Sequence, residues 1–534
     1  MSDNEWNSFL TLGYGIIQRL LEAEAKSQCF CSTAFLSGEF MSANKSLLIS
    51  TKKKIFALLQ LAVLAFAALS LAACDELQDR LFWSADGKNL AVITEGTLRV
   101  WSEEKGLSPV LLPEGKGSAS NEKDTDSLKG VRAVCWLPES GEVIVESLEA
   151  CDSWQKLLEV ANERQKQVIL DSAQKLKGPL IAANGDSKKL SGQLPEWQKL
   201  PLACLSLGYL ALHDEGELKN VPPKTFKTLL SMAETTVLRR YHTDGVNSVP
   251  GEVLLQRLGA IGGVRLSKDG KYLLCMVDPS DTDESPSVLD LNILATSSPT
   301  NCQTVAHLVG PSADWSADGK SVVYFQIFDK GPVHGDAVLG SLVKMDVRAD
   351  DGSILAEADR NKSAVELADL RVDADDRLRC LANGAVLMSS GSTTLPARAD
   401  EPDTDNLFLV KKDGPLNNLL SGADRKMLGD SVSFFDVNPS RTRAFIATQD
   451  GRVSILDLQS RTVQGLCLPE KVSYVKAAKI MPSWKSDDEI LFVANEGKNG
   501  GKEEAILLLW SCSKGAAERF GSTWPVKLLD ALQK

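Results

Sequence analysis

The chain has 534 residues, of which 43% are hydrophobic and 24% charged, the balance of a globular protein and not of a disordered one. Lys+Arg 59 against Asp+Glu 71 leaves −12, which argues against a nucleic-acid partner, because neutralising phosphates takes a basic surface. Four His and 11 Cys leave few groups for metal or nucleophilic chemistry.

Residues 1–40 read as an extension upstream of the natural start, or else as a cytoplasmic leader with a helix near Phe9 to Ala25. Met41 opens residues 41–73, which have the layout of a secretory leader. Lys52, Lys53 and Lys54 form a positive cluster, and an apolar run follows from Ile55 to Ala73, broken only by Gln60 and Ser70. The run ends Leu71-Ala72-Ala73-Cys74, and this ending resembles a bacterial lipoprotein signal with its lipobox. The resemblance implies cleavage before Cys74, a lipidated Cys74 thiol, and stable anchoring through two or three acyl chains. The plainer alternative is an uncleaved membrane-spanning helix, for which the run is long enough. Asp75 resembles the inner-membrane retention signal of enterobacterial lipoproteins. Residues 74–534 keep 53 bases and 66 acids, so the acidic balance of −13 belongs to the exported part.

Beyond Cys74 one phrase recurs. Trp83-Ser84-Ala85-Asp86-Gly87-Lys88, Leu266-Ser267-Lys268-Asp269-Gly270-Lys271 and Trp315-Ser316-Ala317-Asp318-Gly319-Lys320 each lead into an apolar strand. Degenerate copies stand at Ala133–Pro138, Ala368–Asp373, Phe434–Pro439 and Met481–Asp487. Asp-Gly is expected to supply the positive φ angles of a tight turn between two strands. A further strand phrase closes many units, as in Leu98–Trp101, Val343–Val347, Ser454–Leu458 and Leu507–Trp510. With Trp83, Trp136, Leu266, Trp315, Val372, Asp436 and Trp484 as markers, the intervals are 53, 130, 49, 57, 64 and 48 residues. Most fit one four-stranded propeller blade with its loops. The phrase resembles the TolB-like and WD-repeat-like β-propellers. The expected fold is therefore all-β, with about seven four-stranded blades (six to eight). Its Trp residues are read as packing between blades.

The long interval marks an α-helical insertion in the second blade. Trp154, Leu157, Leu158, Ala161, Val168, Ile169, Ala173 and Leu176 trace one helical face. Leu200 to Leu212 forms another apolar stretch, and Phe226, Leu229, Leu230, Ala233, Val237 and Tyr241 trace a third. The layout is 74–148 for the first part of the propeller, 149–257 for the insertion, 258–515 for the second part and 516–534 for a tail.

Chemistry is sparse. Propellers of this kind precede a serine hydrolase domain in the dipeptidyl-peptidase IV and prolyl oligopeptidase families, but the chain holds no Gly-x-Ser-x-Gly elbow. His213, His242, His307 and His334 lack metal-ligand spacing; His213-Asp214-Glu215 and His242-Thr243-Asp244 are His/carboxylate pairs of the kind that does acid–base work, or solvated loop ends. Acidic runs at Asp124–Asp126, Asp281–Glu284 and Asp373–Asp376 suit calcium in principle but lack an EF-hand spacing, so solvated turns are the default. Cys151 and Cys204 are the pair to test first for a disulfide. No catalytic residue, metal or cofactor is assigned. Asp86, Gly87, Asp269, Gly270, Asp318 and Gly319 are structural turn residues. The expected protein is a lipid-anchored component of the bacterial cell envelope, facing the periplasm or exterior. Its propeller binds a protein or small ligand without catalysis. The alternatives are an envelope hydrolase or lyase with its site at the channel mouth, and a ligand sensor.

Overall fold

The computed structural model describes residues 80–521 and Trp524, apart from 95, 112–129, 139–140, 244–247, 260, 278–288, 298–301, 335–336, 374, 393–404, 412–416, 421–427, 430, 475–480 and 498–502. The chain divides into Met1–Glu76 and Leu77–Lys534, and every described residue belongs to the second unit. The leader, the lipobox residues Leu71, Ala72 and Ala73, and Cys74 lie outside the described residues.

Strands follow one another in antiparallel sheets. The first sheet is β1 (Leu81–Trp83), β2 (Asn89–Thr94), β3 (Thr97–Ser102) and β4 (Gly106–Leu107). The second is β5 (Val131–Trp136), β6 (Glu142–Ala150), β7 (Glu234–Thr243) and β8 (Ser248–Arg257). A seven-stranded sheet then runs β9 (Ile261–Leu266), β10 (Tyr272–Val277), β11 (Leu289–Ala295), β12 (Cys302–Trp315), β13 (Ser321–His334), β14 (Ala337–Asp346) and β15 (Val365–Val372). Next come β16 (Leu378–Cys380), β17 (Val386–Ser390), β18 (Asn406–Val410) and β19 (Asn417–Asn418), and then β20 (Val432–Val437), β21 (Arg443–Thr448), β22 (Val453–Asp457) and β23 (Val463–Gly465). In the last sheet β24 (Val472–Tyr474) and β25 (Ser483–Trp484) share the partner β26 (Glu489–Gly497), followed by β27 (Glu503–Ser511) and β28 (Ala516–Phe520).

First strands of neighbouring sheets touch, β1 with β5, β5 with β9 and β25 with β1, and inside the seven-stranded sheet β9 also meets β12, which in turn meets β16. Sheets converge at their first strands, so these lie nearest the axis of an all-β propeller. Five of the sheets are single blades of four or five strands. In the seven-stranded sheet Trp315, Val322 and Tyr324 pack on Leu274, Leu291 and Ile293 of the same sheet. That is possible because the sheet bends at β12, where the register shifts between Val309 and Ala313.

Alternating apolar residues fill the space between neighbours. Ala91 and Ile93 meet Val143 and Val145 between the first two sheets, and Leu387 and Leu409 meet Phe435 and Ile446 further round. The recurring Trp residues lock this packing. Indole N–H groups of Trp136, Trp315 and Trp484 donate to the Phe82, Arg265 and Asp436 carbonyls of the preceding first strand, at 2.8, 3.1 and 3.4 Å. The first and last sheets meet differently. There Trp83, Trp101, Phe520 and Trp524 pack edge to face around Leu81, Leu90, Leu491 and Val493. Gly87 stands at the same seam, with φ +67 and an absent Cβ that would lie 2.8 Å from the Lys485 carbonyl oxygen.

Between β6 and β7 stand α1 (Trp154–Val160), α2 (Glu163–Ala182), α3 (Ser187–Gln193), α4 (Ala203–His213) and α5 (Pro223–Leu230). A sixth helix, α6 (Glu357–Ser363), precedes β15. The face traced from Trp154 to Leu176 is two helices. Asn162 interrupts it with a reciprocal capping box to Gln165, which satisfies the first amides of α2. Leu157, Ile169, Leu176, Leu207 and Leu229 form a core of their own with Ala233 and Leu258. Gly208 lets α4 approach the chain at Ala233, whose nitrogen would lie 2.5 Å from an added Cβ.

Several expectations are corrected. Helical character in this stretch stops at Leu230; residues 234–243 and 248–257, read as part of the insertion, are β7 and β8. Val237 and Tyr241 are buried because β7 has a sheet on either side, which a helical spacing imitates over a short run. Ala368–Asp373 falls in the outer strand β15 and is not a first strand. The following sheet begins with β16, and its turn glycine is Gly384, with φ +79. Residues 516–520, read as tail, form the outer strand of the last sheet.

Candidate functional site at the helix end

Where the Asp-Gly phrase is kept, after β1, β9 and β12, the strand enters at one end of the propeller, turns through the phrase at the other, and the next strand returns. The two ends differ. At the turn end the backbone is tightly bound: Gly87, Gly270 and Gly319 have φ of +67, +71 and +68, whereas Asp86, Asp269 and Asp318 are absent from the positive-φ residues. The aspartates act through their side chains instead. Asp86 Oδ1 accepts the Ser84 hydroxyl at 2.6 Å and the Lys88 N–H at 3.1 Å, and Asp269 and Asp318 repeat the pattern. The Ser84 hydrogen bond is the main cause holding the Asp86 carboxyl below its ordinary range. At Asp269 burial pushes upward, but hydrogen bonds from Arg348 and Ser267 outweigh it and bring the value to about 2.

The helix end is built to be irregular. Register shifts occur there in β5 between Val131 and Ala133, in β9 opposite Leu274–Met276, in β12 between Val309 and Ala313, and in β20 between Val432 and Phe434. Each gives the named strand more residues than its partner, and such bulges re-aim side chains. In β5 the extra residue is Arg132, exposed, opposite the Glu146–Ser147 step of β6. Glu146 is only 3% exposed; burial raises its carboxyl to about 7, although the Arg132 charge opposes this. A carboxyl poised there can exchange a proton near neutrality.

A second polar group lies at the same end, where β15 hands over to β16. Asp376 accepts the Asp373 N–H at 2.9 Å and the Ser389 hydroxyl at 2.8 Å. Ser390 donates to the Arg371 carbonyl at 2.9 Å, and the Arg371 side chain is wholly buried. Burial, aided by the Asp373 and Asp405 carboxylates, raises Asp376 to about 8. Within the acidic run Asp373–Asp376, Asp376 is thus a buried turn cap, while Asp375 is exposed. The folded-state value lies above the ordinary 3.8, so folding takes up a proton. This contribution to stability is full below about pH 4 and is lost as pH rises to about 8. Asp376→Asn is expected to raise the melting temperature at pH 8 and to flatten its fall between pH 4 and 8; an unchanged slope in thermal melts would contradict the assignment.

The structure gathers one of the His/carboxylate pairs into a larger group. His213 Nδ1 lies 3.1 Å from Asp214 Oδ1, its ring stacks on Tyr209 at 5.2 Å, and Trp154 meets it edge on. Lys177 bridges Asp214 at 3.3 Å and Glu217 at 3.1 Å. The group ties α1, α2 and α4 together. His242 is far from it. It lies at the turn end of β7, opposite Glu142, while the helices join at Glu234. His307 pairs with Asp290 at 2.8 Å on another sheet. Asp124–Asp126 and Asp281–Glu284 lie outside the described residues. Among the described residues no cluster of three His, Cys, Asp or Glu side chains is placed to hold a metal ion. Cys151, buried, and Cys204, exposed, are free thiols. No described helix is long and apolar enough to cross a membrane. Sequence reasoning missed Glu146 and read Asp376 as part of a solvated acidic turn, because burial of an acid depends on the neighbouring strands.

No family model matches the chain, and no curated protein does. Among solved structures it is similar to an oligogalacturonate lyase from Vibrio parahaemolyticus, at 10% identity and a TM-score of 0.34, over 53% of this chain and 73% of that one.

Proposed function

We propose that the chain is an exported lipoprotein of the bacterial cell envelope, anchored through acyl chains on Cys74, whose propeller serves as a non-catalytic scaffold for a protein or small ligand. Its ring counts seven blades, with the seven-stranded sheet taken as two blades folded at β12. The packing of Trp315 and Tyr324 on Leu274 and Ile293 supports that count, since neighbouring blades pack face to face in this way. The helices between β6 and β7 form the insertion in the second blade.

The observation that carries the binding role is the asymmetry of the two ends. Bulged strands and helices with their own core gather at one end, while the recurring Ser-x-Asp-Gly turns occupy the other. Binding surfaces concentrate where irregular segments ride on a rigid scaffold. Affinity capture from detergent-solubilised cells at native expression is expected to recover one specific partner or ligand, and recovery of none counts against the reading. The anchor is tested separately. Cys74→Ser is expected to abolish fatty-acid labelling and to block processing, and unchanged labelling would refute it. A second reading, an envelope enzyme or ligand sensor working at the same end, is favoured by Glu146 beside Arg132. Turnover of a glycan or peptide in a broad substrate panel would carry it.

A further inference from the structure

We propose that the α1–α5 cap docks on the surface of an anionic membrane, the one that holds the Cys74 acyl chains; this rests on the lipoprotein reading. The first ground is position. The Ile93 N–H donates to the Arg80 carbonyl at 2.9 Å, the Val131 N–H to Gly96 at 2.8 Å, and the Leu148 N–H to Gly130 at 3.2 Å. These bonds run from the start of β1 to the end of β6, so the chain enters the first sheet at the end where the cap stands on the second. Five residues stand between Cys74 and Arg80, a reach of about 20 Å when fully extended. A lipid on Cys74 would therefore be tethered to the first sheet at its helix end.

The second ground is charge. Residues 151–233 carry eleven Lys and Arg against nine Asp and Glu, a charge of +2 in a chain of −12. Most of the acids are engaged within the cap: Asp152 with Lys156, Glu163 with Lys166, Glu196 with Lys199, and Asp214 and Glu217 with Lys177. Lys175, Lys188, Lys189, Lys219, Lys224 and Lys227 are exposed. Lysines near an anionic surface each add to its attraction. The third ground is apolar. Leu170 and Ile181, at 38% and 39% exposure, are two of the few large apolar side chains left in solvent. They stand three helical turns apart on nearly one line of α2. A basic cap with apolar contacts suits the headgroup region of a bilayer. It follows that the partner of the scaffold lies in or against the same membrane.

The test uses the full processed lipoprotein, reconstituted in vesicles of phosphatidylglycerol and phosphatidylethanolamine and, for comparison, held in neutral detergent. Lysine acetylation is followed by mass spectrometry, and vesicle flotation reports the anchor. Labelling of Lys188, Lys189, Lys224 and Lys227 is expected to slow about fivefold or more in vesicles. It should recover in about 0.5 M salt, while Lys268 and Lys271 at the turn end stay unchanged. Flotation with equal labelling at both ends would overturn the docking and leave the anchor standing. Failure to float would overturn both.

Discussion

Trp83→Ala is expected to lower the stability of the propeller by about 3–4 kcal/mol, as truncations of large packed aromatics do. Among the described residues each sheet is built from consecutive strands, so no strand from one end of the chain completes the sheet at the other. Closure of the ring then rests on side chains. Trp83 lies 5.8 Å from Trp101 and 5.7 Å from Phe520, and Lys485 stands 5.9 Å over its ring. Its indole nitrogen is buried without a partner, unlike those of Trp136, Trp315 and Trp484, so the residue contributes packing where the others also contribute a hydrogen bond. Denaturant unfolding measures the loss. Hydrogen exchange should show β1–β4 and β26–β28 losing protection together. A loss confined to β1–β4 would mean that the seam does not couple the two ends.

Asp314→Ala is expected to cost about 3–5 kcal/mol, because it strands a cation built into the joint between sheets. Asp314 is 3% exposed. Its carboxylate accepts the Cys380 N–H at 2.9 Å and takes both terminal nitrogens of Arg441, at 3.0 and 3.3 Å. Arg441 also donates to the carbonyls of Trp315 and Cys380, at 2.6 and 2.9 Å. One turn residue, held at φ +61, thus joins its own sheet to β12 and β16 of two others. Asp314→Asn keeps an acceptor for Cys380 and should lose less. A double-mutant cycle with Arg441→Ala should give strong coupling, and additive losses would contradict the clasp.

The sequence carried the turn phrase well because it is local. Ser84, Asp86 and Gly87 bind one another within four residues, so the motif survives reading without a structure. The strands that follow it were legible for the same reason. The β15–β16 region was not. Val372 served as a first-strand marker, but it lies in the outer strand β15, and the turn after the next first strand is made by Asn383 and Gly384, where Asn383 Oδ1 accepts the Ala385 N–H. The end of the insertion was also misread, since β7 is buried on both faces and its apolar residues fit a helical spacing as readily as a strand. Site features were least legible. Glu146 and Asp376 are ordinary acids in sequence, and only packing from adjacent strands shifts them. The basic cap could be counted from the sequence, but its place beside the start of β1 required the hydrogen bonds from Arg80 to Leu148.

Photo-crosslinking in living cells tests the central claim most directly, with the crosslinking residue placed at Arg132 and Ser433 at the helix end and at Lys268 and Lys88 at the turn end. The scaffold reading predicts one discrete adduct from the first two positions and none from the others. Equal adducts from both ends, or none from Arg132 and Ser433, would contradict it.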